Sequence, residues 1–270
     1  MESVLNSMIK GSLLILLAST NTVSSTKIVN LVVPEVVQSG TDVILDCQYY
    51  VPDGNFVLQW LFNGNNTSVY KWSPLHKMPE VTGILEEHLD LFLNSSRTLK
   101  LADEGRKLRL VRVEPHLSGE YTCVLESKGV VTRETKSMLV YSTEQELDLN
   151  VNVVNEGVIN IACVARGVYP QPDLILEYHN EPISQQYQRV WRDINLLYVT
   201  ECTTQLVISK CRDTNIEVKC RLSIPQVDYI AIKKRYLLLE ADDCNFARYQ
   251  NPPKLSVLVA ITFFLVMVEF

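Results

Sequence analysis

Two cysteines 76 positions apart, Cys47 and Cys123, with Trp60 between them and Tyr121 two residues before the second, constrain this chain more than any other feature. They sit among short runs in which apolar side chains recur at every second position. Val43, Leu45 and Cys47 alternate with Ile44 and Asp46; Leu58, Trp60 and Phe62 alternate with Gln59 and Leu61; Leu108, Leu110 and Val113 lie in a third run. A period of two puts one face of a strand in a core, and turn residues separate the runs, so residues 32–141 read as a two-sheet antiparallel domain. Asn63-Gly64 predicts a hairpin, because both residues tolerate the positive φ of a tight primed turn. A second domain over about 143–240 repeats the plan less faithfully. Ile159, Ile161 and Cys163 read as one strand, Leu174, Leu176 and Tyr178 as another, and Val218 with Cys220 as a third. The linker around Ser142-Thr143-Glu144 is short, which predicts limited hinge freedom.

Both ends of the chain bear on the compartment. Lys10, the apolar run Leu13 to Ala18 and the small residues Val23-Ser24-Ser25 read as a secretory signal peptide over 1–25. The run from Leu255 to Val268, closed by Glu269 and Phe270, reaches about 21 Å as a helix, short of the ~30 Å hydrocarbon core. A removable glycosylphosphatidylinositol (GPI) signal fits that tail better than a span: 242–254 supplies small residues and a polar spacer, and 255–270 the hydrophobic end. A single short span and a secreted form are the alternatives. Export places seven cysteines in an oxidising compartment. A net charge of −6 argues against nucleic acid as partner, since phosphate binding needs a basic face.

The Cys47, Trp60, Tyr121 and Cys123 constellation resembles the immunoglobulin superfamily. The resemblance implies an all-β chain of two tandem sandwiches, the first V-type (26–142) and the second C-type (143–241). It implies a disulfide from Cys47 to Cys123 across the first sandwich, the Trp60 indole packed against it and the Tyr121 hydroxyl bonded to backbone at a corner. Leu117 stands where the family usually has Asp. In the second domain Cys163 and Cys220 are the matching pair, while Leu176 or Tyr178 replaces the Trp and Val218 the Tyr. Pro34, Glu35, Gly40, Asp42, Val43, Leu45, Cys47 and Tyr49, then Trp60, Asn63, Gly64, Tyr70, Lys71, Trp72 and Pro74, resemble the first domain of the insect Beaten path family over 33–140. That resemblance implies a neuronal surface protein that binds another immunoglobulin protein of the Sidestep kind, in guidance.

Cys202, Cys211 and Cys244 remain. If 203–210 is a strand, its ends lie about 30 Å apart and Cys202 cannot reach Cys211. A Cys211–Cys244 bond with Cys202 free follows. If Cys244 leaves with the tail, a looped Cys202–Cys211 bond restores parity instead.

V-type domains bind through the sheet that carries Trp60, and alternation with Trp60 inward turns Val57, Gln59 and Leu61 outward. Tyr70 or Lys71 and Thr122, Val124 and Glu126 join them, and Val57, Leu61 and Val124 form an apolar strip of the kind that marks contact sites. Asn65, Asn66 and Asn94 head glycosylation sequons. Arg97, Lys100, Arg106, Lys107, Arg109 and Arg112 concentrate positive charge; weak heparan sulfate contact is one reading, a self-paired strand edge the other. The four histidines have no metal-ligand spacing and no phosphate loop or nucleophile elbow appears, so no cofactor, metal or catalytic residue is expected. The chain reads as a cell-surface recognition protein, with a secreted immune or ligand-binding protein as the alternative and a self-associating adhesion spacer as a third reading.

Overall fold

The computed structural model describes residues 25–52, 54–76, 78–90, 105–155, 157–208 and 215–238. The expectations for the signal peptide, the tail, the anchor region 242–254, Asn94, Cys211, Cys244, Arg97 and Lys100 lie outside them.

The first sandwich is built from β1 (Lys27–Val32), β2 (Val36–Gln38), β3 (Val43–Tyr50), β4 (Val57–Phe62), β5 (Ser68–Trp72), β6 (Glu80–Val81), β7 (Lys107–Leu110), β8 (Gly119–Ser127) and β9 (Val130–Tyr141). One sheet has the order β1-β3-β7 and the other β2-β9-β8-β4-β5-β6. Alternation decides what faces between them: Leu45 and Cys47 from β3, Leu58 and Trp60 from β4, Leu108 and Leu110 from β7 and Tyr121, Cys123 and Leu125 from β8 are all fully buried. Cys47 bonds Cys123, and Trp60 lies opposite Cys123 in the β4–β8 ladder. Asn63 and Gly64 both take positive φ, 51° and 67°, as the hairpin between β4 and β5 demands. The Asn63 side chain also accepts the Glu120 N–H at 2.8 Å.

Tyr121 makes the expected corner. Its hydroxyl donates to the Leu117 carbonyl at 2.8 Å, and burial raises the phenol pKa. Leu117 is itself buried at the end of the 3-10 turn Pro115–Leu117, so apolar packing occupies the position the family gives to Asp.

The second sandwich comprises β10 (Glu146–Asn155), β11 (Val158–Val168), β12 (Asp173–Tyr178), β13 (Glu181–Pro182), β14 (Tyr187–Arg192), β15 (Tyr198–Val207), β16 (Asn215–Ile224) and β17 (Tyr229–Leu238). Its sheets have the orders β10-β11-β15-β14 and β13-β12-β16-β17. Cys163 bonds Cys220, and Leu176, not Tyr178, lies opposite Cys220 where the first sandwich has its Trp. Val218 is buried at the Tyr position.

The strand expected over 203–210 instead runs Tyr198–Val207, which corrects the placement of Cys202. Cys202 sits in mid-strand opposite Cys163, a free thiol facing the core, and burial raises its pKa. Its Sγ donates to Gln186 Oε1 at 3.1 Å. The Gln186 amide also accepts Leu176 N–H and donates to the carbonyls of Leu176 and Ile183, at 2.9, 2.9 and 2.6 Å. Between the sandwiches, Ser142 and Tyr169 exchange backbone hydrogen bonds of 2.8 and 3.0 Å, and the Tyr229 hydroxyl donates to Glu144 at 3.1 Å. Among the described residues no helix is long and apolar enough to cross a membrane.

Candidate partner-binding face

The outer side of the sheet β2-β9-β8-β4-β5-β6 is set by the strand register. Lys71, Gln59, Val124 and Arg133 form one row across four strands; Leu61, Thr122 and Thr135 form the next; Val57, Glu126 and Val131 form a third. Thr122 and Thr135 share a hydroxyl hydrogen bond of 2.8 Å, and Lys71 stands 3.9 Å from Glu80. The rows therefore present mixed charged, amide and hydroxyl groups.

Three of the expected face residues need correction. Tyr70 belongs to the core: it lies opposite Trp60, is fully buried, and donates its hydroxyl to the Gly105 carbonyl at 2.9 Å. Lys71 is thus the outward residue of that pair. Leu61 and Val124 do point outward but are only 8% and 6% exposed. Both stand in central strands; Val124 lies between the longer side chains of Gln59 and Arg133, and Leu61 between Thr122 and Ser68. The continuous apolar strip does not exist. Val57, Gln59, Lys71, Thr122 and Glu126 remain within reach of solvent.

Apolar surface appears instead at one end of the face, from residues that strand alternation did not select. Leu75 and Met78, in the loop between β5 and β6, are 77% and 70% exposed, and Val130 and Val131 stand at the tip of the β8–β9 hairpin. Met78 shares a cleft of about 210 Å³ with Val57, Lys71 and His76, which joins the loop to the Val57–Glu126–Val131 row. The signal in the sequence was a pair of large apolar residues between Pro74 and Pro79, where a solvated loop would carry polar ones. Asn65 and Asn66 are exposed in the β4–β5 turn, at the opposite end of the face, where Phe62 pairs with Tyr121.

The described part of the basic cluster is largely neutralised within the domain. Arg109 bridges Asp42 at 2.9 Å and Asp90 at 3.3 Å, and Arg106 bonds Asp46 at 3.4 Å. The Arg112 N–H and the Arg109 guanidinium hold the Asp42 carboxyl below its ordinary pKa. A self-paired strand edge describes these residues better than an open heparan sulfate site. Among the described residues no three His, Cys, Asp or Glu side chains gather as metal ligands would.

These features define tandem immunoglobulin-like sandwiches. No protein-family model matches the chain, and neither does any curated protein. Solved structures do match in fold. A bovine butyrophilin structure aligns at TM-score 0.60 and 16% identity, covering 77% of this chain and 96% of that one. A chain from the complex of ICOS with ICOS-L and an anti ICOS-L VNAR domain aligns at 0.56 and 17%, covering 75% and 99%. The full ectodomain of mouse nectin-like molecule 4 aligns at 0.54 and 14%, covering 76% and 66%. At these identities the likeness is one of fold.

Proposed function

We propose that the protein is an exported cell-surface recognition molecule whose first, V-type sandwich binds another immunoglobulin-type protein through the outer face of the sheet β2-β9-β8-β4-β5-β6. The observation that carries this reading is the end of that face, where Met78, Val57 and Val131 bring accessible apolar surface beside polar rows. Apolar anchors ringed by polar groups are the usual energetic arrangement of a protein contact. V-typing rests on the two strands, β5 and β6, beyond β4. One fold neighbour is an ICOS complex with ICOS-L; binding of one surface protein to another supports the same kind of partner here. A glycan at Asn65 or Asn66, adjacent positions of which one would be filled, would leave the apolar end clear. The Beaten path resemblance adds a Sidestep-like partner and a guidance role, and the tail a GPI anchor.

The test is a screen of the multimerised ectodomain against cell-surface immunoglobulin proteins, run with Lys71→Glu and Met78→Asp variants. Both positions are accessible, unlike Leu61, where a carboxylate would be buried and the fold disturbed. Loss of the captured partner with both variants, at unchanged melting temperature, is the expected result; undiminished capture by both refutes the placement.

A cleft of about 590 Å³ between the sandwiches, lined by residues including Arg112, His116, Tyr169 and Arg192, favours a second reading: a secreted protein that holds a ligand between its domains. Release from cell surfaces by phospholipase C supports the anchored molecule, and its presence only in the medium supports the secreted one. Dimerisation of purified ectodomain without a partner would favour the adhesion spacer.

A further inference from the structure

The second sandwich carries a groove that the recognition face does not use. It has a volume of about 790 Å³ and lies on the outer side of the sheet β10-β11-β15-β14. Its floor follows from the register: Ala162, Thr203 and Tyr187 form one row across β11, β15 and β14, and Asn160 and Gln205 are paired two residues along. The small side chain of Ala162 keeps the middle low, while Tyr187, 66% exposed on the edge strand, forms a wall.

No lining residue carries a charge. In the nearest charged row Arg189 stands 3.8 Å from Glu201, with Asp148 beyond Val164, so the cation of that row is compensated. Among the described residues, the Asn160, Thr203 and Gln205 side chains and the Tyr187 hydroxyl make no hydrogen bond within the protein, so their donors and acceptors are directed to solvent or to a ligand.

We infer that this groove binds a neutral oligosaccharide, the uncharged core of an N-linked glycan on an apposed surface. A side-chain amide offers a donor and an acceptor side by side, the pattern that a pair of neighbouring sugar hydroxyls complements. An exposed tyrosine ring presents a face on which the C–H side of a pyranose packs. An anionic ligand would find no uncompensated cation here and would lose hydration without return. A peptide would find no deep apolar pocket for an anchoring side chain, since the floor is Ala162 and hydroxyl groups.

The test is a glycan array probed with the multimerised ectodomain, displaying neutral high-mannose and chitobiose-core glycans beside sialylated and sulfated ones. Wild-type protein is expected to retain the neutral glycans, and Tyr187→Ala and Asn160→Ala each to weaken that binding about tenfold. Arg189→Ala is expected to leave it unchanged. Circular dichroism and melting of each variant separate a lost site from a lost fold; both changes are at exposed positions. Retention of no glycan, retention of acidic glycans alone, or neutral binding that survives both groove variants overturns the inference. The recognition face lies on the other sandwich, so Lys71→Glu and Met78→Asp should not alter the array result.

Discussion

In the first sandwich the side chain that faces the disulfide from β4 is the Trp60 indole; in the second, the same register position on β12 holds Leu176. In the first, the Tyr121 hydroxyl ties down the Leu117 carbonyl; in the second, Val218 has no group with which to do so. Two residues outside that constellation take up the difference. Cys202, buried opposite Cys163, adds volume beside the bridge. Gln186 does the work of a missing strand neighbour: β13 pairs only with Glu177 and Tyr178, and the Gln186 amide takes the N–H and C=O of Leu176 as a peptide would. The disulfide thus sets how the sheets are tied, while the packing around it has more than one solution.

That comparison can be broken by substitutions whose effects stay within one sandwich, read separately by hydrogen exchange with mass spectrometry. Trp60→Ala should be the most damaging, costing the first sandwich about 4 kcal/mol, against about 3 kcal/mol for Leu176→Ala in the second, because the larger ring leaves the larger cavity. An equal or reversed order would show that the indole is not what fills the first core. Gln186→Glu keeps the acceptor but removes both donors, leaving two carbonyls facing a carboxylate; a loss of about 3 kcal/mol confined to the second sandwich is expected. If Gln186→Glu is neutral, the strand-mimic account of β12 fails.

Tyr121→Phe keeps the ring and deletes one bond, so denaturant midpoints should report about 1 kcal/mol from the first sandwich alone. The smallest effect is expected at Asp42. Its folded-state pKa lies below its unfolded one, so the stability it contributes is present above the unfolded value and is lost as pH falls through the folded value. Asp42→Asn should therefore lower the stability of the first sandwich slightly at neutrality, where the carboxylate contribution is present, and flatten its acid limb below about pH 4, where that contribution is already lost. An acid limb as steep as before would assign that limb to other carboxylates.

What was legible in the sequence had a mechanical task that few residue types perform. Cys47, Trp60, Tyr121 and Cys123 are such residues, and so is Asn63-Gly64 at the hairpin. Tyr70 was misread because a register shift between Trp60 and Leu61 offsets the two strands, and the ring is drawn inward opposite Trp60. Val124, between Gln59 and Arg133, shows a different limit: alternation gives the direction of a side chain but not the height of its neighbours. The true extent of β15 was hidden by Thr200 and Thr204, hydroxyl residues that share the parity of Cys202 and interrupt an apolar period. Gln186 could not have been found by pattern, since a side chain standing in for a peptide leaves no periodic trace.

Partner capture decides the central assignment most directly. A tetramerised ectodomain of residues 26–241, screened against cell-surface immunoglobulin proteins, should select a partner that is lost with Met78→Asp and retained with Tyr187→Ala. A captured partner indifferent to Met78→Asp and Lys71→Glu, yet lost when the second sandwich is altered, would move recognition to the other domain and contradict the account.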